Sequence, residues 1–125
     1  MADFQFDILT HASGDLLLGA WITIKISGLA FLLALVLGFT VGAARSRSRL
    51  WERITAPYVE IFRGTPLLIQ LFFIYYGLPT VGIKLDSTVA AYLGLGLNGG
   101  AYIAEIVRGA LAGVDIGQEE AALST

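Results

Sequence analysis

Residues 26–44 read ISGLAFLLALVLGFTVGAA, a run that contains no ionisable side chain. At 1.5 Å per residue, an α-helix of this length covers about 28 Å, close to the roughly 30 Å hydrocarbon core of a bilayer. Leucine, valine and phenylalanine occur on every face of such a helix, whereas the surface helix of a soluble protein is apolar along one stripe. This stretch therefore predicts a transmembrane helix.

Two further uncharged windows of similar length follow at 64–83 and 87–104. Charged residues at the edges of a window can extend a helix into the interface. We therefore predict transmembrane helices at about 18–44, 57–79 and 87–110. The composition agrees, because 56% hydrophobic and 14% charged residues lie outside the range of soluble domains. The predicted fold class is an all-α integral membrane protein, and a small soluble enzyme is excluded.

The placement of charge predicts an orientation. Four arginines lie between the first two predicted helices, at Arg45, Arg47, Arg49 and Arg53, whereas the segment 1–19 holds Asp3, Asp7 and Asp15 and no lysine or arginine. The positive-inside rule puts the arginines in the cytoplasm, the amino terminus outside and everything after about residue 110 back in the cytoplasm. Two interpretations of the arginine run stay open: a topological anchor without a ligand, which we favour, or a specific site for anionic lipid.

Several classes of site are excluded by composition. The chain has no cysteine and a single histidine, His11, which argues against a disulfide framework, a thiolate metal site and a histidine-based site. A net charge of −2 argues against nucleic acid as a partner. There is no Gly-x-x-x-x-Gly-Lys-Ser/Thr phosphate loop, so we expect no cofactor on this chain and ATP hydrolysis, if any, on another.

Prolines predict where the second helix begins, bends and ends. Pro57 suits the first turn of a helix, and Gly77-Leu78-Pro79 suits its end. Pro66 lies inside the helix, where it removes one backbone hydrogen bond and predicts a kink near 64–66. Such a kink persists in a membrane when neighbouring protein, water or a hydroxyl such as that of Thr65 satisfies the freed carbonyl.

Small residues predict close packing between helices. Gly38 and Gly42 form a Gly-x-x-x-Gly pair in the first helix, and the third helix contains Gly94, Gly96, Gly99 and Gly100. Because glycine and Asn98 have low helix propensity, the third helix is also expected to be loosened or bent near its middle, as in helices that line a transport pathway.

Asn98, Tyr102 and Glu105 are spaced four and three residues apart, so they share one face of the third helix. We take this face as the candidate lining of a substrate path. An ion pair between Glu105 and Arg108 is the competing interpretation, and Glu60 and Arg63 repeat the same spacing in the second helix.

Residues 113–125, GVDIGQEEAALST, are acidic and rich in helix formers, and they predict the start of a helix outside the bilayer. Glu120-Ala121-Ala122 resembles the opening of the Glu-Ala-Ala-x-x-x-Gly motif of ABC importer permeases. Residues 62–68, FRGTPLL, followed by Gln70, and residues 101–109, AYIAEIVRG, resemble the polar amino acid permeases of that superfamily. The resemblance covers residues from about 15 to 125.

The resemblance implies the membrane subunit of an ATP-driven importer of polar amino acids in the bacterial cytoplasmic membrane. It implies a coupling helix that docks on a cytoplasmic ATPase subunit, formed by Gly117, Gln118, Glu119, Glu120, Ala121 and Ala122. It also implies a second permease subunit, an extracytoplasmic amino acid binding protein and transport by alternating access. Residues 1–125 are expected to be the amino-terminal part of one longer permease domain.

Two interpretations from other classes remain at this stage. One is a small integral membrane protein that packs against partners through its glycines and transports nothing. The other is a passive channel without an ATPase partner.

Overall fold

The structure is a computed structural model that describes residues 6–125, apart from the side chains of Leu9 and Asp115. The described part of the chain is helical and contains no strand, which confirms the predicted all-α class. Its elements are α1 (Phe6–Arg47), α2 (Arg49–Gly64), α3 (Leu67–Phe72), a π-helical segment (Phe73–Gly77), a 3₁₀ turn (Leu78–Val81) and α4 (Ser87–Ser124). Asp3, used above for the orientation, lies outside the described residues.

The core of the structure is a parallel pair of long helices, α1 and α4. Gly96 of α4 faces Leu33 of α1, and further along both helices Gly42 of α1 faces Val107 of α4. Residue numbers therefore increase in the same direction on both sides of the contact. The two helices consequently have their carboxyl ends on the same side of the molecule.

Glycine at these contacts permits the close approach of the two backbones. A Cβ atom on Gly42 would lie 2.6 Å from the carbonyl oxygen of Ala104, and Ala104 itself is fully buried. The predicted role of Gly38 and Gly42 in packing is therefore confirmed, because small residues are what lets helix backbones come this close. Gly96, Gly99 and Gly100 of α4 serve the same contact, whereas Gly94 faces Leu71 of α3.

The second helix begins earlier than predicted. α1 ends at Arg47 and α2 begins at Arg49, so only Ser48 separates them. The Ser48 hydroxyl accepts a hydrogen bond from the backbone N–H of Leu50 at 3.1 Å and so caps the new helix. Pro57 lies inside α2 rather than at its start, and the predicted start at residue 57 is wrong. The arginine run is thus a tight junction between two helices instead of a loop.

The kink predicted at Pro66 is confirmed and is large. α2 ends at Gly64, Thr65 and Pro66 are extended, and α3 begins at Leu67 after a bend of 110°. Pro66 has no N–H to offer the carbonyl of Phe62, so the helix cannot continue across it. The segment from α3 to the 3₁₀ turn ends at Gly82, which has φ +91° and closes the turn in the left-handed region that glycine tolerates.

α4 is longer and more regular than predicted. The carboxylate of Asp86 caps its start by accepting from the N–H of Thr88 at 3.0 Å. Gly96, Gly99 and Gly100 do not loosen it, because they are held against α1, and residues 88–125 contain no proline that would break it. The predicted end near 110 and the separate helix at 113–125 are both wrong, since one helix continues to Ser124.

By length and apolar composition, the described helices contain one clear candidate membrane span, which falls within α1 at Thr10–Arg47. α2 together with the segment Leu67–Val81 qualifies as one bent pair, either a broken span or a re-entrant loop. α4 does not qualify, because its glycines, tyrosines and Asn98 dilute its apolar residues. The number of three spans is thus not established by the helices alone.

Candidate functional site

A network of side chains surrounds the carbonyl of Phe62, which loses its helical partner at Pro66. Gln70 Nε2 donates to this oxygen at 2.9 Å, and Asn98 Nδ2 donates to it at 3.1 Å. The same Asn98 nitrogen donates to Gln70 Oε1 at 3.1 Å. We call Thr65, Gln70 and Asn98 the break network. It satisfies an acceptor that a straight helix would have bonded internally.

Gln70 holds the centre of this network. Its side-chain nitrogen also donates to the Thr65 carbonyl at 3.0 Å and lies 2.7 Å from the Thr65 hydroxyl oxygen. Only 7% of the residue is exposed, so its amide is placed where an unpaired polar group is costly. The Thr65 hydroxyl, in turn, donates to the Ile61 carbonyl at 2.7 Å. The bend is therefore fixed by directional hydrogen bonds from α3 and α4.

Two tyrosines extend the contact between α2 and α4. The Tyr58 hydroxyl donates to the Leu97 carbonyl at 2.6 Å, and the Tyr102 hydroxyl donates to the Arg63 carbonyl at 3.4 Å. The Arg63 guanidinium lies over the Tyr102 ring, 5.5 Å from its centroid, at a distance suited to a cation–π contact. Among the described residues Arg63 forms no ion pair with Glu60, so the predicted pairing of those two is not seen.

An ion cluster joins the carboxyl-terminal half of α4 to the end of α1. Glu105 accepts from Arg108 Nε at 3.0 Å and from Arg45 Nη2 at 3.5 Å. Arg45 Nη1 also donates to the Glu52 carbonyl and the Thr55 hydroxyl of α2. The Arg45 side chain is only 8% exposed, so this cation links three helices from within the protein. The predicted Glu105–Arg108 pair is confirmed as part of this cluster.

The predicted polar face of α4 exists, and its members point toward the bend and the ion cluster. Asn98 belongs to the break network, Tyr102 contacts α2, and Glu105 lies between two arginines. Each of the three side chains is engaged by the chain itself. Tyr102 is the most open of them, at 45% exposed.

The acidic end of α4 projects away from the rest of the molecule. α4 continues from Val107 to Ser124, whereas α1 ends at Arg47, little more than one helical turn past Gly42, the residue that faces Val107. The free end of α4 is thus about 18 Å longer than that of α1. The residues predicted to form the coupling surface, Gly117, Gln118, Glu119, Glu120, Ala121 and Ala122, are all exposed there.

Sequence reasoning missed the structural roles of Gln70 and Arg45. A signal for Gln70 was available: a glutamine four residues after a mid-helix proline can turn back to the carbonyl that the proline leaves free. Arg45 gave no such signal, since nothing in the run of arginines distinguishes the one that folds inward. Within residues 6–125, no group of histidine, aspartate and glutamate side chains has a geometry suited to a metal ion.

A family described as the binding-protein-dependent transport system inner membrane component matches residues 28–125. The chain belongs to this family. The resemblance stated from the sequence is thereby confirmed, and the family accounts for the apolar character of α1.

Relatives in this transport family carry amino acid permease names. The probable amino-acid ABC transporter permease protein y4tF of Sinorhizobium fredii is 41% identical over a match that covers 87% of this chain and 49% of that protein. The arginine transport system permease protein ArtQ of Bacillus subtilis is 39% identical over a match that covers 85% of this chain and 49% of that protein. The putative glutamine transport system permease protein GlnP of Rickettsia felis is 38% identical over a match that covers 85% of this chain and 50% of that protein.

A solved structure agrees with the helical arrangement. The crystal structure of an amino acid ABC transporter with histidines superposes with a TM-score of 0.79 at 33% identity, over 99% of this chain and 57% of that one. The present chain spans about half the length of the curated relatives it matches.

Proposed function

We propose that the chain is part of a permease subunit of an ATP-binding cassette importer that carries polar amino acids across the cytoplasmic membrane. Membership of the transport family and the names of its relatives support the substrate class. The parallel packing of α1 and α4 is the observation that carries the proposal. It puts the acidic end of α4 on the same side as the four arginines, which is the arrangement that a cytoplasmic docking element needs.

The proposed topology has three crossings. α1 crosses first, the bent pair of α2 and the segment Leu67–Val81 returns, and α4 crosses last. The parallel packing of α1 and α4, joined through one returning element, supports this order. The positive-inside rule then places Arg45, Arg47, Arg49 and Arg53 in the cytoplasm and the amino terminus outside.

The proposed mechanism is alternating access driven from outside this chain. ATP binding and hydrolysis on two cytoplasmic ATPase subunits would move the docked end of α4, with Glu119 and Glu120 in the docking surface. Since α4 is unbroken from Ser87 to Ser124, a displacement of its end reaches the break network and the ion cluster directly. A second permease subunit and an extracytoplasmic amino acid binding protein complete the proposed complex, with this chain holding no cofactor.

Asn98, Tyr102 and Glu105 are proposed to border the substrate path. They share the polar face of α4, and the carboxylate of Glu105 suits an ammonium or guanidinium group. Tyr102 is the member most accessible to a substrate.

The test of this function is the coupling of ATP hydrolysis to uptake in the assembled transporter. Replacing Glu120→Ala is expected to lower binding-protein-dependent amino acid uptake by tenfold or more, an effect of about 1.4 kcal/mol at the docking surface. Basal ATP hydrolysis by the ATPase subunits should persist, because their own catalytic residues are untouched. Uptake and hydrolysis are measured together in proteoliposomes.

Glu60→Ala is the matched control, since Glu60 is also an exposed glutamate on a helix but lies in α2. It should leave the ratio of uptake to hydrolysis unchanged. An unaltered ratio in Glu120→Ala, with the variant correctly assembled, would contradict the coupling role. Passive amino acid flux without ATP would instead support the channel interpretation.

A further inference from the structure

The junction between α1 and α2 forms one side of a cleft of about 470 Å³, and α4 forms the other. This volume falls within the roughly 300–1,000 Å³ range of small-molecule sites. From α4, Arg108, Ala112 and Ile116 line it at spacings of four residues, which is one helix face. The cleft lies beside the ion cluster and away from the break network.

Positive charge dominates the walls of this cleft. Four arginines line it, Arg45, Arg47, Arg49 and Arg108, together with Glu52. Glu105, next to the cleft, is shared by Arg45 and Arg108. Four cations against two carboxylates leave a positive excess at this place.

The arginines differ in their availability to a ligand. The two terminal nitrogens of Arg45 are already committed to α2 and to Glu105, and its side chain is buried. Arg47 and Arg49 are exposed, and among the described residues neither forms an ion pair. These two guanidinium groups can therefore donate to an anion, and Arg108 adds a third positive charge from the opposite wall.

The position of the cleft and its surroundings indicate a membrane surface. Arg45 is the first charged residue after the apolar window 26–44, so the cleft lies where the hydrocarbon core ends. Beside it, α2 exposes Leu50, Trp51 and Ile54, between 50% and 65% each. Basic residues next to exposed tryptophan and aliphatic side chains are typical of a helix at the lipid interface. A soluble acidic partner would leave these apolar side chains in water.

We propose that this cleft binds the phosphate of an anionic phospholipid, with Arg47 and Arg49 as the principal donors and Leu50, Trp51 and Ile54 against the acyl chains. The arginine run then has a ligand as well as a topological role. The proposal concerns the junction of α1 and α2 and requires α1 to lie in a membrane, but it is independent of which solute is transported.

The experiment measures lipid retained by the protein in its native complex, by native mass spectrometry after exchange into mixed phosphatidylglycerol and phosphatidylcholine. Retention of phosphatidylglycerol over phosphatidylcholine is expected. An arginine near an anionic membrane surface contributes about fivefold in affinity, so Arg47→Gln with Arg49→Gln should lower phosphatidylglycerol retention about 25-fold. Arg53→Gln is the matched control, because Arg53 belongs to the same run but does not line the cleft.

A second readout uses Trp51 in a Trp21→Phe background, since the chain has two tryptophans. Brominated phosphatidylglycerol should quench Trp51 more than brominated phosphatidylcholine at equal mole fraction, and the double arginine variant should abolish the difference. Equal retention of the two lipids, or an equal loss in Arg53→Gln, would overturn the proposal. Displacement of the lipid by millimolar inorganic phosphate would identify a general phosphate site and would also overturn it.

Discussion

At the scale of single residues, the Phe62 carbonyl oxygen explains why an amide from each of α3 and α4 turns toward the Pro66 break. Proline removes one donor, and Gln70 and Asn98 replace it with two. A polar contact in an apolar surrounding is thus required by the backbone itself. Gln70 and Asn98 hold the bend in one geometry. This structural role of Asn98 does not depend on its proposed place beside the substrate path.

Replacing Gln70→Ala is expected to lower the free energy of unfolding by about 1–3 kcal/mol, because it removes the side-chain donor to the Thr65 carbonyl and one of the two donors to the Phe62 carbonyl. The free energy is measured by denaturant titration of the purified protein in detergent. Gln118→Ala is the matched control, since Gln118 is exposed near the end of α4 and its loss should change stability by less than about 0.5 kcal/mol. Equal effects of the two variants would show that the break network contributes nothing.

Glu105 is both a member of the ion cluster and the proposed acidic group of the substrate path. Glu105→Gln keeps the shape of the side chain and removes its charge. We expect it to raise the KM for a cationic amino acid by about tenfold while changing the KM for a neutral one little, since each loss of about 1.4 kcal/mol of attraction is tenfold. Uptake by the assembled transporter is compared for the two substrates, with Glu60→Gln as the control. If both KM values and substrate-stimulated ATP hydrolysis stay as they are, Glu105 acts as a structural partner of Arg45 and Arg108 alone.

At the scale of elements, the packing of α1 on α4 depends on glycines that face a backbone. Gly42→Ala is expected to destabilise the protein by about 1–3 kcal/mol, because the new methyl group meets the Ala104 carbonyl and pushes the helices apart. Gly28→Ala is the control, since nothing lies within 4 Å of a Cβ there and alanine favours the helix. The midpoint temperature of thermal unfolding in detergent should be equal or higher for Gly28→Ala than for the unmodified protein, and lower for Gly42→Ala. The reverse order would contradict the observed register.

The sequence predicted the elements better than their boundaries. The three apolar windows, the Pro66 kink and the packing glycines all follow from local chemistry, because each depends on residues close together in the chain. The start of α2 depends on Ser48, which caps the helix. In the sequence, the arginines on either side of Ser48 favour a loop, and so a helix start is not predicted there. The regularity of the middle of α4 depends on contacts of Gly96, Gly99 and Gly100 with α1, and such contacts cannot be read from helix propensity.

The candidate site was predictable as a face and not as a network. The spacing of Asn98, Tyr102 and Glu105 places them together on α4 without further information. Their partners come from α1, α2 and α3. The contact between Arg45 and Glu105 therefore depends on the tertiary structure and cannot be predicted from spacing along the chain. Gln70 is an intermediate case, since its position relative to Pro66 predicts a local role but not the contact with Asn98.

At the scale of the whole molecule, parallel α1 and α4 tie the arginine junction and the acidic end of α4 to one side. This relation holds whether that side is the cytoplasmic or the external side of the membrane. If the side is the cytoplasm, the exposed end of α4 is accessible to the proposed ATPase subunits and the loop around Lys84 faces outward. The orientation therefore determines whether the projecting helix end can serve as the coupling element.

Cysteine labelling measures this orientation most directly, and the chain has no cysteine of its own to interfere. Lys84→Cys and Ser124→Cys are introduced singly and treated with a membrane-impermeant maleimide in intact spheroplasts. In the proposed orientation, position 84 is labelled at once, and position 124 is labelled only after the membrane is permeabilised. Labelling of position 124 in intact spheroplasts, with position 84 protected, would contradict the proposed permease orientation and its coupling helix.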